Sequence, residues 1–214
     1  MPRPASPTPI NGSDLQRLQQ RRKQALRVGA ALCLALIFLT DTLWRAQPGV
    51  LQAMRWAGLL AIGVCILGRT WCSLYIGGLK QRVLVMKGPY SVSRNPLYVF
   101  TILGTVGIGL FVGSLAVALV LAALATIVFS LVVRQEEAFL AGAFTQEFAA
   151  YSARVPRFWP RFSLWQDAQE VVAQPRLVYR TFVDASLFLL AVPLILLKDL
   201  LQQQGSLPVL LLLP

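Results

Sequence analysis

Apolar runs separated by short polar gaps dominate this chain of 214 residues. The first runs from Val28 to Trp44 and stops at Arg45 and Pro48; the second spans Trp56 to Leu74 and breaks at Gly77-Gly78. A third begins near Tyr98 and ends at Gly113-Ser114, a gap that allows only a tight helical hairpin into the fourth run, Leu115 to Val133. That fourth helix is predicted to continue past the apolar stretch through Leu140. The fifth runs from Phe182 to Leu197. Each approaches the ~20 apolar residues needed to cross a bilayer as a helix. The pattern predicts an all-α, polytopic helical bundle with about five transmembrane helices. The apolar tail from Leu207 to Leu213 is too short to cross and is expected at the far interface.

The flanks divide the chain into three parts. Residues 1–27 read as a Pro- and Ser-rich disordered leader, followed by a basic interfacial helix opened by the capping box Ser13-Asp14-Leu15-Gln16. Residues 28–165 form the membrane core. Residues 166–214 carry a connector, an extra transmembrane helix and the tail. Glycines 104, 107, 109 and 113 crowd the third run. Outside a strand-turn-helix setting they predict close helix packing rather than a nucleotide loop.

Composition sharpens this picture. The chain is 56% hydrophobic and 14% charged, with a mean hydropathy of +0.62, which is outside the soluble range. Its net charge of +11 is distributed as a topology signal. Seventeen of the twenty Lys and Arg residues fall in the leader and the two long polar gaps, leaving Arg45, Arg55 and Lys198 for the other side. The positive-inside rule therefore predicts a cytoplasmic N-terminus, cytoplasmic polar gaps touching anionic lipid, and a far-side C-terminus. Nothing resembles a base-reading module, so no nucleic-acid partner is expected. The three cysteines have neither disulfide nor zinc spacing, and the chain contains no histidine. The commonest general base and the commonest metal ligand are both missing, and no metal site is predicted.

Two polar clusters abut the third and fourth runs. One is Gly88-Pro89-Tyr90 with Arg94-Asn95-Pro96-Leu97-Tyr98, in which Asn95 reads as a helix cap and Pro96 as a first-turn residue. The other is Arg134-Gln135-Glu136-Glu137. Two adjacent carboxylates in a chain with only nine acids suit a cationic or hydroxyl-rich ligand better than a solvated helix face. A hairpin would bring the two clusters together at the cytoplasmic helix ends.

These strings, with Glu136-Glu137-Ala138-Phe139-Leu140, Phe148-x-x-Tyr151 and Val155-Pro156-Arg157-Phe158-Trp159-Pro160, resemble the isoprenylcysteine carboxyl methyltransferase and phospholipid methyltransferase superfamily. The resemblance covers about residues 60–162. It implies a membrane-embedded methyltransferase that uses S-adenosyl-L-methionine. Pro89, Tyr90, Arg94, Asn95, Pro96 and Tyr98 would line one wall of the cofactor pocket, with Glu136 and Glu137 on the other. Gly68, Tyr75 and Gly77 are similar to a glycine motif of the phospholipid branch and would also touch cofactor. Asparagine at position 95, where the carboxyl methyltransferase branch has histidine, leaves the acceptor open.

Transfer to an anionic acceptor needs cations rather than a base, and Arg69, Lys80, Arg82 and Arg94 are placed to hold one. An amine acceptor would need Tyr98 or Glu137 as the base. The expectation is a lipid or lipid-linked acceptor carrying phosphate or carboxylate. Arg69, Arg94 and Tyr98 would be nearest the chemistry, and Arg69, Lys80, Arg82 and Tyr151 would line the acceptor side. A phosphatidylethanolamine-type N-methyltransferase and a non-enzymatic membrane accessory protein stand as alternatives. A small transporter is disfavoured, because Asp184 has Arg180 one turn away as a partner.

Overall fold

A computed structural model describes residues 33–76 and 83–214. The expected leader, the basic interfacial helix, the start of the first apolar run, and Gly77, Lys80 and Arg82 lie outside the described residues. Residues 33–39 are helical. They lead into β1 (Thr40–Thr42) and a 3₁₀ turn, Leu43–Ala46. The long helices follow: α1 (Pro48–Ile76), the single-turn α2 (Pro89–Val92), α3 (Pro96–Val112), α4 (Leu115–Ala143) and α5 (Thr145–Arg154). After a 3₁₀ turn at Phe162–Leu164 come α6 (Pro175–Ser186) and α7 (Ala191–Gln203), joined by the 3₁₀ turn Leu187–Leu190. β2 (Leu211–Leu213) closes the chain.

Among the described residues, three helical segments are long and apolar enough to cross a membrane: α1, α4 and the continuous rod Pro175–Gln203, with mean hydropathies of 1.8, 2.8 and 1.9. At 29 residues each, they exceed the ~30 Å hydrocarbon thickness by two turns or more. Their outer faces are leucine-rich and exposed, as at Leu60, Leu67 and Leu119, which suits lipid contact. The helix α3 is apolar but shorter. Two expected spans were too short: α1 begins eight residues before Trp56, and the last rod runs from Pro175, not Phe182. The first expected span also needs correction, since its helix gives way to β1 at Thr40, before Trp44.

Helix starts follow local chemistry. Proline opens α1, α2, α3 and α6, where its missing N–H costs nothing. The α3–α4 hairpin is as tight as its sequence requires. Gly113 takes φ 90° in the left-handed region, and the Ser114 hydroxyl accepts from Val117 N at 3.2 Å to cap α4.

The expected close packing through glycine is present. A Cβ placed on Gly58 of α1 would lie 2.6 Å from the Gly107 carbonyl of α3, and one on Gly107 would lie 2.8 Å from the Gly58 carbonyl. Gly109 abuts the backbone of Ala118 in α4 in the same way.

At the end of the molecule opposite the two polar clusters, the tail folds back. β2 pairs in parallel with β1, Thr40 opposite Leu211 and Thr42 opposite Leu213, a small sheet that an all-helical expectation does not contain. Asp199 of α7 is the hub beside it. It pairs with Arg55 of α1, lies 3.7 Å from Arg45 and 3.4 Å from the fully buried Lys198. Gln202 donates to the carbonyls of Phe38 and Thr40.

Candidate functional site

Gly88 sits at φ 60° with the Tyr75 ring against it, so a side chain here would meet both strain and collision. The turn it makes launches α2, and Ser93 then extends the backbone before α3 begins at Pro96. A strap from residue 154 to 167 crosses this segment and fastens to its backbone. Arg94 N donates to Pro156 O at 2.9 Å, Arg161 N to Val92 O at 2.9 Å, and Gly88 N to Gln166 O at 2.8 Å. The Ser93 hydroxyl donates to Phe158 O at 3.1 Å, and Gln166 N donates to the Ser91 hydroxyl at 3.0 Å. Trp165 of the strap stacks on Trp71 of α1, ring centroids 5.6 Å apart.

This clasp presents Arg94 and Asn95 to the end of α4, where they meet Glu137. Arg94 Nε donates to Glu137 Oε1 at 3.0 Å, and Asn95 Nδ2 donates to the same oxygen at 3.3 Å. The other oxygen receives Arg157 Nε at 3.0 Å and Nη2 at 2.7 Å. Arg94 Nη1 also donates to Ser152 O at 2.6 Å. Glu137 is buried, and two guanidinium groups with an amide satisfy both its oxygens. Asn95 therefore serves otherwise than expected. It stands at the cap position of α3 but makes no side-chain cap bond; its amide goes to Glu137 and to Arg157 O at 3.2 Å. A buried carboxylate outcompetes a local N–H for that donor.

Beside this network lies a cavity of about 660 Å³, within the range of small-molecule sites. Tyr90, Arg94, Asn95, Tyr98, Glu136, Glu137 and Tyr151 all line it, so both polar clusters reach the same space. The Tyr98 hydroxyl hydrogen-bonds the Glu136 carboxylate, and its ring packs on Phe129 at 4.9 Å. Tyr151 donates to Tyr90 O at 2.7 Å. Burial pushes the pKa of the Tyr90 and Tyr151 phenols well above the ordinary tyrosine value, so both stay protonated and neutral.

Other expected site residues stand outside the lining. Gly68 faces the Phe100 ring, and Arg69 donates to the Thr101 hydroxyl between α1 and α3. Tyr75 reaches Asp167 at 3.1 Å. Pro89 and Pro96 are buried in the backbone turns. The sequence reading missed Arg157, which completes the Glu137 clamp, and the residues that α6 adds to the lining, Leu177, Arg180, Thr181 and Asp184. Arg157 stood inside a recognised motif, but nothing local pointed it at Glu137. Among the described residues, no three His, Cys, Asp or Glu side chains gather as a metal-holding group.

A helical membrane protein whose two polar motifs meet in one cavity at its helix ends falls into a defined class. The chain belongs to the phospholipid methyltransferase family, whose profile matches residues 56–147. It is 36% identical to the cobalt-zinc-cadmium resistance protein CzcN of Cupriavidus metallidurans over 186 residues, 87% of this chain and 85% of that one. It is 31% identical to the nickel-cobalt-cadmium resistance protein NccN of Alcaligenes xylosoxydans xylosoxydans over 210 residues, 98% of this chain and 96% of that one. No solved structure matches it.

Proposed function

We propose that this protein is a membrane methyltransferase that uses S-adenosyl-L-methionine and modifies a membrane-embedded amphiphile bearing phosphate or carboxylate. The observation that carries this reading is the shared cavity. Residues from both family motifs, forty positions apart in the chain, converge on one space of small-molecule size.

The residues present suit the cofactor. Its sulfonium and ammonium groups match the carboxylate side of the cavity at Glu136 and the aromatic walls of Tyr90 and Tyr98, and the amide of Asn95 offers a polar edge. When bound, the cofactor supplies a methyl group that leaves its sulfonium sulfur for an acceptor oxygen, cancelling the acceptor's negative charge without releasing a proton. Tyr98 and Glu136 hold and orient, Glu137 keeps Arg94 and Asn95 in place, and Tyr151 fixes the floor through Tyr90. Alignment of this kind supplies roughly 7–11 kcal/mol in favourable cases. Gly68, Tyr75, Pro89 and Pro96 shape the pocket from behind. Arg69 sets the spacing of α1 and α3. The N-terminus and the cavity face the cytoplasm in a five-span topology, with residues 28–165 as the catalytic core.

The relatives' names support placing this reaction in resistance to cobalt, zinc, cadmium or nickel. The same names favour a second reading, an accessory role in resistance without methyl transfer. One experiment separates them. Purified protein in lipid nanodiscs is titrated with S-adenosyl-L-methionine by calorimetry, then given methyl-labelled cofactor with a total lipid extract or a prenylcysteine. Saturable binding and label in one acceptor are expected. Absence of both binding and label would overturn the enzyme reading in favour of the accessory one.

A further inference from the structure

The family match ends at residue 147, yet one side of the cavity comes from beyond it. The segment α6 packs on α1 and lends Leu177, Arg180, Thr181 and Asp184 to the lining. These positions recur at helical spacing and form one face. The match to NccN covers 98% of this chain and so runs through α6. The wall thus lies outside the matched family core, in a part of the chain that the match to NccN also spans.

We propose, resting on the methyl-transfer reading, that α6 is the acceptor wall and that Arg180 is the specificity-determining residue, recognising the anionic group of a chain-bearing acceptor. The two walls differ in what their charges already do. The described cations lining the cavity are Arg94 and Arg180. Arg94 is committed: its Nε goes to Glu137 and its Nη1 to Ser152 O. Arg180 is held only loosely by Asp184, Nε to Oδ2 3.9 Å, with both side chains exposed. A pair of that length in solvent contributes little, so a phosphate or carboxylate can take the guanidinium bidentately at small cost. Asp184 then acts as the placeholder that orients Arg180 until the acceptor arrives. Leu177, one turn before Arg180, faces the cavity together with Val132 and Phe139 of α4. Those side chains suit an alkyl chain entering beside the head group.

A simple membrane-surface anchor predicts something different. For an anchor, lysine replaces arginine freely and the chemistry of the acceptor does not matter. Recognition predicts that the fork geometry matters, and only for anionic acceptors.

The test uses the full chain in nanodiscs and two independent readouts. Cofactor binding is measured by calorimetry. Acceptor binding is measured without turnover, by energy transfer from the protein's tryptophans to dansyl-labelled phosphatidic acid, to a dansyl-labelled prenylcysteine, or to uncharged dansyl-labelled diacylglycerol. Arg180→Ala is expected to leave cofactor affinity within about twofold and to weaken one anionic probe by about tenfold or more, the scale of a lost charge-assisted contact. Arg180→Lys should recover part of that loss, and Asp184→Asn should tighten the same probe. Which anionic probe responds distinguishes a lipid phosphate from a carboxylate. Equal binding of both anionic probes by wild type and Arg180→Ala overturns the proposal, as does an equal loss for the uncharged diacylglycerol. Failure of wild type to bind cofactor would instead count against the methyltransferase reading, and the probe comparison would still decide the role of Arg180.

Discussion

Removing the Glu137 carboxylate tests whether the site is held together by the network described above. Glu137→Ala strips the acceptor from Arg94, Asn95 and Arg157 at once and leaves Arg94, itself largely buried, without its ion-pair partner. Breaking a buried pair by deleting one member costs about 3–5 kcal/mol. Arg157 is 41% exposed, so water compensates part of its loss, and the lower end, about 3 kcal/mol, is the better figure. For a chain of this size that corresponds to a drop of roughly 6–12 °C in the melting midpoint. The protein carries its own reporter. Cys65 and Cys72 are fully buried, so a thiol-reactive fluorogenic maleimide added to detergent-solubilised protein reads unfolding directly, above a constant signal from the partly exposed Cys33. The double variant Glu137→Ala/Arg157→Ala should lose clearly less than the sum of the single losses, because the two side chains share one interaction. A midpoint for Glu137→Ala within about 2 °C of wild type, less than the shift expected from 1 kcal/mol, would refute the clamp and return Glu137 to the role of a plain ligand contact.

Two further expectations follow from the packing and the charge pattern. Gly58→Val places a branched side chain against the Gly107 carbonyl and the Phe111 backbone. It should cost about 1–3 kcal/mol through overpacking, measured by the same thiol melt, whereas substitution at Gly63, which has open space around it, should be silent. Reporter insertions should place residue 170 in the cytoplasm and residue 205 on the far side; the reverse arrangement would reject the orientation proposed from the arginines.

What could be read from sequence was what local chemistry settles. The hairpin at Gly113-Ser114 and the proline start of α3 depend on neighbouring residues, and the structure places them as written. The convergence of Arg94 with Glu137 was legible only as two motifs flanking one hairpin, without the contact itself. Asn95 shows where that limit bites. Local rules assign it to a cap, but a buried carboxylate forty-two positions away is the stronger acceptor. Arg157 and α6 were opaque for the same reason. Their side chains reach the site only because a strap folds back over α2 and because a later helix packs on α1. Arg180 and Asp184, read along the chain, are an ordinary i, i+4 pair near a span end, and nothing in that spacing reports a cavity opposite. The return of Leu211–Leu213 to Thr40–Thr42 had no periodic signal at all, since three residues carry no period.

The knot around Asp199 also imposes an order in time. During synthesis Arg55 reaches the bilayer while its partner is still 144 residues away, and Phe38 waits 164 residues for Gln202. The α3–α4 hairpin, whose contacts are near in sequence, forms early, as short-range contacts do. Arg45 has Asp41 four residues before it, but Arg55 lacks its carboxylate until α7 arrives with Asp199, and only then can β2 find β1. The pairing of β2 with β1 is therefore a late assembly step, one that a nascent chain stalled before α7 cannot make.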